Sequence, residues 1–308
     1  MASISAKDVA ALRAKTGCGM MECKKALVEA DGNMDEAVKV LRERGLAVAA
    51  KKADRIAAEG VVDILVENDA AAIIEVNSET DFVAKNDTFK DFVKTLLETI
   101  LKNRPADVAA LMASKYADSD MTVEAKMKDM IFTIGENMSV RRFEIIEGVL
   151  SSYIHGKGSI GVIVTFDADD NAKTNPGFAE FSKNIALQVA ALPVQYLNKE
   201  SVPAAVIEEE KQILMTQIKN DPSNSKKPEQ IIEKMVNGRI GKFYEQNCLM
   251  EQGYVKDDSL KVGQYVEATA KEFGGSIKVT SFVRYEKGEG LQKREENFGD
   301  EIAKMIQK

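Results

Sequence analysis

Asn77-Ser78-Glu79-Thr80-Asp81-Phe82-Val83-Ala84-Lys85-Asn86 follows an apolar run, Ala70-Ala71-Ala72-Ile73-Ile74-Glu75-Val76. The run is short and gives way to turn-forming residues, which reads as a buried strand. The stretch after it is polar, yet it places Phe82 among Thr, Asp, Lys and Asn. A phenylalanine in a polar loop either folds back onto its own core or is presented to another molecule.

Outward from this stretch, the chain repeats itself. Glu59-Gly60-Val61 opens a strand-rich segment, and Glu147-Gly148-Val149 opens a second. At that offset Asp169 falls on Asp81, and Ala172-Lys173 falls on Ala84-Lys85. One residue further, Phe178 and Phe181 match Phe89 and Phe92. Each copy reads as hairpin, polar loop and amphipathic helix. The helices carry Phe89, Phe92, Val93 and Leu96, then Phe178, Phe181 and Ile185. A further strand closes each copy, residues 139–146 and 277–285. Two copies do not make a solenoid. The fold class is α+β, with a duplicated core of two small antiparallel sheets, each covered by helices on one face. Where the first copy has Asp81-Phe82-Val83, the second has Asp169-Asp170-Asn171. An aromatic that the fold required should recur, so Phe82 reads as an interaction residue.

The first ~55 residues form a three-helix unit. Ser5-Ala6-Lys7-Asp8 resembles a capping box, with Val9, Ala11 and Leu12 as the apolar stripe. Thr16-Gly17-Cys18-Gly19 breaks that helix, a second runs from Met20 to Ala30, and a third begins at Asn33-Met34 and ends at Gly45. Met20-Met21, just after the break, reads either as core filling or as a soft contact surface. Residues 47–58 read as a solvated helical connector. The domain boundaries are then 1–55, 56–146 for the first half of the core, 147–288 for the second, and 289–308 for a C-terminal helical module. A helical hairpin interrupts the second half at about 203–243. Its arms are striped by Ile207, Leu214 and Ile218, and by Ile231, Ile232, Met235, Val236 and Ile240. Each arm is too short to stand alone, so it needs its sister arm and a partner surface. Gly288-Glu289-Gly290 reads as a flexible joint. The last helix carries Phe298, Ile302, Met305 and Ile306, a stripe that docks either on its parent domain or on a partner.

The chain has 308 residues, 42 Lys plus Arg against 49 Asp plus Glu, and a net charge of −7. That balance argues against broad phosphate-backbone binding, so no direct nucleic-acid contact is expected. No apolar run approaches the ~18 residues of a membrane span, and the first residues lack the pattern of a signal peptide. Cys18, Cys23 and Cys248 read as free thiols of a reducing, cytoplasmic compartment. With one histidine, His155, neither a zinc site nor a Ser-His-Asp triad is in view. His155-Gly156-Lys157-Gly158-Ser159 has the wrong glycine spacing for a phosphate loop and precedes a strand, so it reads as a hairpin turn. No cofactor and no covalent catalysis are expected.

Thr16-Gly17-Cys18-Gly19-Met20-Met21-Glu22-Cys23-Lys24-Lys25-Ala26-Leu27 resembles the opening signature of the elongation factor Ts family, and Glu75 through Lys85 resembles its second. The duplicated core, hairpin and terminal helix follow the family's order across essentially the whole chain. The resemblance implies a guanine-nucleotide exchange factor for elongation factor Tu. It implies a ubiquitin-associated-like N-terminal unit that grips the GTPase, with Leu12, Arg13, Met20 and Met21 at that contact. The loop Thr80, Asp81, Phe82, Val83 would enter the nucleotide site and help dislodge Mg2+. His155 would approach another domain of the partner, and Phe298 and Ile302 would pack on the GTPase domain. The hairpin would serve in self-association, as in a two-to-two complex, or in contacts to the factor. The alternative reading is an adaptor that recruits some other protein through its first ~55 residues.

Overall fold

The structure is a computed structural model that describes residues 4–292 except 118, 225 and 226. The expected terminal stripe, Phe298 and Ile302 included, lies outside the described residues.

Three helices open the chain: α1 (Ala6–Thr16), α2 (Met20–Glu29) and α3 (Met34–Lys52). Ser5 and Asp8 close a reciprocal capping box on α1, and Gly17, at φ 71°, ends it in the left-handed region that favours glycine. Gly45 does not stop α3. The helix runs on to Lys52, and a Cβ at Gly45 would sit 3.5 Å from Phe132. The glycine therefore marks a close approach between helices. Half of the expected connector is thus the end of α3, with Ala49 inside the neighbouring core.

The first half of the core comprises β1 (Glu59–Glu67), β2 (Ala70–Ser78), α4 (Asp81–Lys85), α5 (Asp87–Asn103), α6 (Val108–Ala113), α7 (Val123–Ile134) and β3 (Met138–Glu147). Its sheet is antiparallel in the order β1-β2-β3. The second half comprises β4 (Val149–His155), β5 (Ile160–Ala168), α8 (Asp170–Thr174), α9 (Phe178–Ala191), α10 (Ala204–Asn220), α11 (Glu229–Asn247), β6 (Gly253–Tyr254), β7 (Asp257–Lys261), α12 (Val262–Glu272) and β8 (Ile277–Glu286). Its main sheet is β4-β5-β8. Helices cover one face of each sheet, around Phe89, Phe92 and Leu96 in the first and Phe181, Ile185 and Val189 in the second. The other faces pack together through Val62, Ala71, Ile73, Ile163 and Tyr285. β2 is therefore buried on both sides along its whole length, which is why its sequence is an unbroken apolar run. The His155–Ser159 turn reaches the first sheet, where the Val62 N–H donates to the Gly158 carbonyl at 2.8 Å.

The duplication extends to the irregularities. Register shifts occur at Glu75/Val76 against β3 and at Thr165/Phe166 against β8, equivalent places in the two sheets. The hairpin arms α10 and α11 form a cluster of their own, Leu214, Ile218, Ile232, Val236 and Ile240.

Gly288-Glu289-Gly290 is a fastened turn, not a loose joint. The Gly288 N–H donates to Glu75 Oε1 at 2.8 Å, and the Glu289 carboxylate meets Arg142 at 3.2 Å. Glu75 is fully buried and also accepts from Arg141 Nη1 at 3.0 Å, Arg142 Nε at 2.7 Å and Asn77 Nδ2 at 3.2 Å. Two adjacent arginines reach one carboxylate because the bulge makes Arg141 an extra residue, so normal side-chain alternation is suspended there. Burial alone would push the Glu75 carboxyl up; the Gly288 amide, then Arg141, Arg142 and Asn77, outweigh it and hold it below the usual value.

A braced loop with an exposed phenylalanine

The loop after β2 turns straight into α4, a single short helix. Thr80 caps it, accepting from the Val83 N–H at 3.5 Å. The helix then alternates its duties by position. Val83 and Ala84 are buried in the first-half core, while Phe82 points away and is 81% exposed. Asp81 is bound within its own helix to Lys85 at 2.5 Å, and that ammonium group holds the Asp81 carboxyl below its usual value.

A second segment holds the loop from behind. Glu136 accepts from the Thr80 hydroxyl at 2.6 Å and from the Thr80 N–H at 3.0 Å. In return, Glu79 accepts from the Asn137 N–H at 2.7 Å and lies 3.5 Å from Arg55. The Ser78 hydroxyl donates to the Thr80 carbonyl at 3.0 Å. The apolar ring is thus carried on a base whose backbone is fixed at several points.

The equivalent loop of the second copy explains what is particular to the first. There Asp169 is the cap, accepting from the Ala172 N–H at 2.9 Å, and its other oxygen accepts from the Ser276 N–H at 2.8 Å. Cap matches cap, so Thr80 corresponds to Asp169 and Val83 to the fully buried Ala172. The expected pairing of Asp81 with Asp169 is therefore one residue out. Val83 keeps its apolar character in the second copy, and Phe82 corresponds to the polar Asn171. Val83 belongs to the interior and does not face outward with Phe82.

The residues expected at the N-terminal contact divide in the same way. Leu12 is fully buried beside Cys23, Ala26 and Leu27, so it builds the three-helix core instead of a contact surface. Arg13 is exposed, and Met20 and Met21 are 54% and 63% exposed at the start of α2. They are not core filling. The three-helix unit rests on α7, whose Phe132 packs against its core. His155 is exposed at the end of β4, with its Nδ1 3.2 Å from the Tyr153 hydroxyl. Phe82, the methionine pair and His155 stand on three separate elements.

Glu136, Glu79 and Arg55 were not singled out from the sequence. Glu136 and Arg55 lie far from the loop along the chain, and Glu79, although next to Thr80, looks like any solvated loop carboxylate until Asn137 is seen beside it. Among the described residues no group of three or more His, Cys, Asp or Glu could hold a metal ion, and no helix is long and apolar enough to cross a membrane.

The model of the family described as Elongation factor TS matches residues 79–289, which begins at this loop and takes in β3 of the first sheet and the whole of the second. The chain belongs to the elongation factor Ts family. It is 45% identical to Elongation factor Ts of Syntrophotalea carbinolica, over 98% of this chain and 99% of that protein. It is 46% identical to Elongation factor Ts of Clostridium botulinum strain Eklund 17B, over 99% and 100%. Elongation factor Ts of Clostridium kluyveri is 44% identical over 99% of both chains. The chain is accordingly a translation elongation factor, and the exposed phenylalanine lies within the part that defines the elongation factor Ts family.

Proposed function

We propose that this protein is the guanine-nucleotide exchange factor of elongation factor Tu and works in the cytoplasm without covalent catalysis. The observation that carries the reading is Phe82. A large apolar side chain is held in solvent on a loop braced by Glu136, where the second copy of the fold has Asn171. Such a ring gains its burial from another molecule.

Exchange requires no bond to be made or broken. GDP is held by phosphate-binding amides, a lysine and Mg2+. A factor that binds the nucleotide-free form more tightly than the GDP form must weaken GDP by the same ratio. Burying one Phe side chain contributes about 1.5–3 kcal/mol. At about 1.4 kcal/mol per tenfold, Phe82 accounts for a change of about tenfold to a hundredfold. The remainder comes from other contacts, which we assign to Arg13, Met20, Met21, His155 and the terminal Phe298 and Ile302. We assign the approach to Mg2+ and the nucleotide site to Asp81 and Phe82, with Thr80 and Val83 positioning them. Ile213 and Ile231 are exposed on the hairpin, which supports its use as a contact between copies in a two-to-two complex. No direct contact to nucleic acid or membrane is part of this function.

The test is release of a fluorescent GDP from elongation factor Tu with and without this protein. Acceleration that grows with its concentration supports the reading; an unchanged rate at saturating protein rejects it.

A further inference from the structure

A groove of about 620 Å3 lies between α3, α7 and β3, and its wall includes Arg55 and Asn137, which hold Glu79 on the other side. Leu46, Ala50, Met112, Met127 and Met138 line it, and Leu291 forms part of its wall. Leu46 is half exposed and Leu291 more than a third, so the groove offers apolar surface to solvent. Leu291 is the last residue but one that the structure describes. Its position is fixed, because the Leu291 N–H donates to the Gly288 carbonyl at 3.0 Å and the 288–289 turn is held by Glu75 and Arg142. The rest of the chain therefore starts at the rim of the groove. It carries Phe298, Ile302, Met305 and Ile306 among charged residues. At about 3.3–3.6 Å per residue, Phe298 can reach any point of the groove from residue 292.

We propose that the chain's own residues 293–308 dock in this groove, with Phe298 and Ile302 against Leu46, Met127 and Met138. The tail then shields its apolar stripe until a partner surface competes for it. A short tether gives an effective concentration in the millimolar range, so a segment that binds with a Kd near 100 µM when free is docked about ten to one when attached. This docking is a property of the protein alone, so it stands or falls separately from the exchange function.

Ala50 is exposed on the groove wall, and Ala50→Cys places a thiol there with little change of volume. Cys18, Cys23 and Cys248 are buried, and burial pushes the Cys18 and Cys248 thiols up, the latter to about 11, so the new thiol dominates labelling. Maleimide labelling of full-length Ala50→Cys should be about tenfold slower than that of the same chain carrying Phe298→Ser and Ile302→Ser. Met20→Cys, on a different surface, should label at one rate with either tail, and continued protection of the buried Cys18, Cys23 and Cys248 shows that both chains are folded. Equal Ala50→Cys rates with both tails would overturn the proposal. Protection that disappears on dilution would assign the tail to a second copy and would also overturn it.

Discussion

Glu136 holds Thr80 at both of its donors, the hydroxyl at 2.6 Å and the backbone N–H at 3.0 Å, and so locks the residue that caps α4. The two carboxylate oxygens do for this loop what the two oxygens of Asp169 do for its counterpart. The brace keeps one aromatic ring in place in solvent before a partner arrives.

Glu136→Ala should loosen the loop without emptying the core, because Val83 and Ala84 stay buried. Preorganisation is lost but the contact surface is kept. The expected result is a drop of about thirtyfold in accelerated GDP release with nearly unchanged affinity, from two lost hydrogen bonds of about 1 kcal/mol each. Stopped-flow release at saturating factor, read beside calorimetric binding, separates the two effects.

Glu75→Gln should destabilise the fold by about 3 kcal/mol at neutral pH, at the lower end for a broken buried pair because Arg141 and Arg142 keep part of their surface in solvent. The Glu75 carboxyl has a lowered value in the folded protein. Its contribution is therefore complete above the unfolded value of 4.5, shrinks as the pH falls below that, and is gone once the pH passes the lower folded value. Urea unfolding should show the gap between wild type and Glu75→Gln narrowing as the pH is taken from neutral towards about 3. A gap that widened would contradict the assignment.

Two glycine substitutions should act in opposite directions. A Cβ at Gly161 would lie 2.5 Å from Val62 Cγ1, in the contact between the two sheets. Gly161→Ala should destabilise by about 1–3 kcal/mol through overpacking. Gly238, inside α11, has open space at that position, and Gly238→Ala should stabilise by about 0.5–1 kcal/mol. Thermal melts of both variants check the pair.

The hairpin-loop-helix repeat was legible in the sequence because each part is local: the apolar run of β2, the polar loop, and the Phe89 and Phe92 stripe. Comparing the two copies also pointed to Phe82, even though the sequence offset was one residue out at the caps. Interactions between distant segments were not legible. Glu136 reaches back to Thr80, Phe132 packs on Gly45 and lets α3 continue, and Glu75 gathers Arg141, Arg142 and the Gly288 amide through a bulge. Polar residues in a loop look alike whether they are solvated or clamped, which is why the 288–290 turn read as a joint. Leu12 and Met20 are both apolar residues in short helices, and only the packing of α1 against α2 separates the buried one from the exposed pair.

On the proposed exchange function, Phe82 drives nucleotide release while contributing little to its own fold. Stopped-flow release of fluorescent GDP from elongation factor Tu, at saturating Phe82→Ala, tests it most directly. The expected variant has a melting temperature equal to wild type, retains binding, and slows release by about tenfold to a hundredfold. Release by Phe82→Ala at the wild-type rate would contradict it.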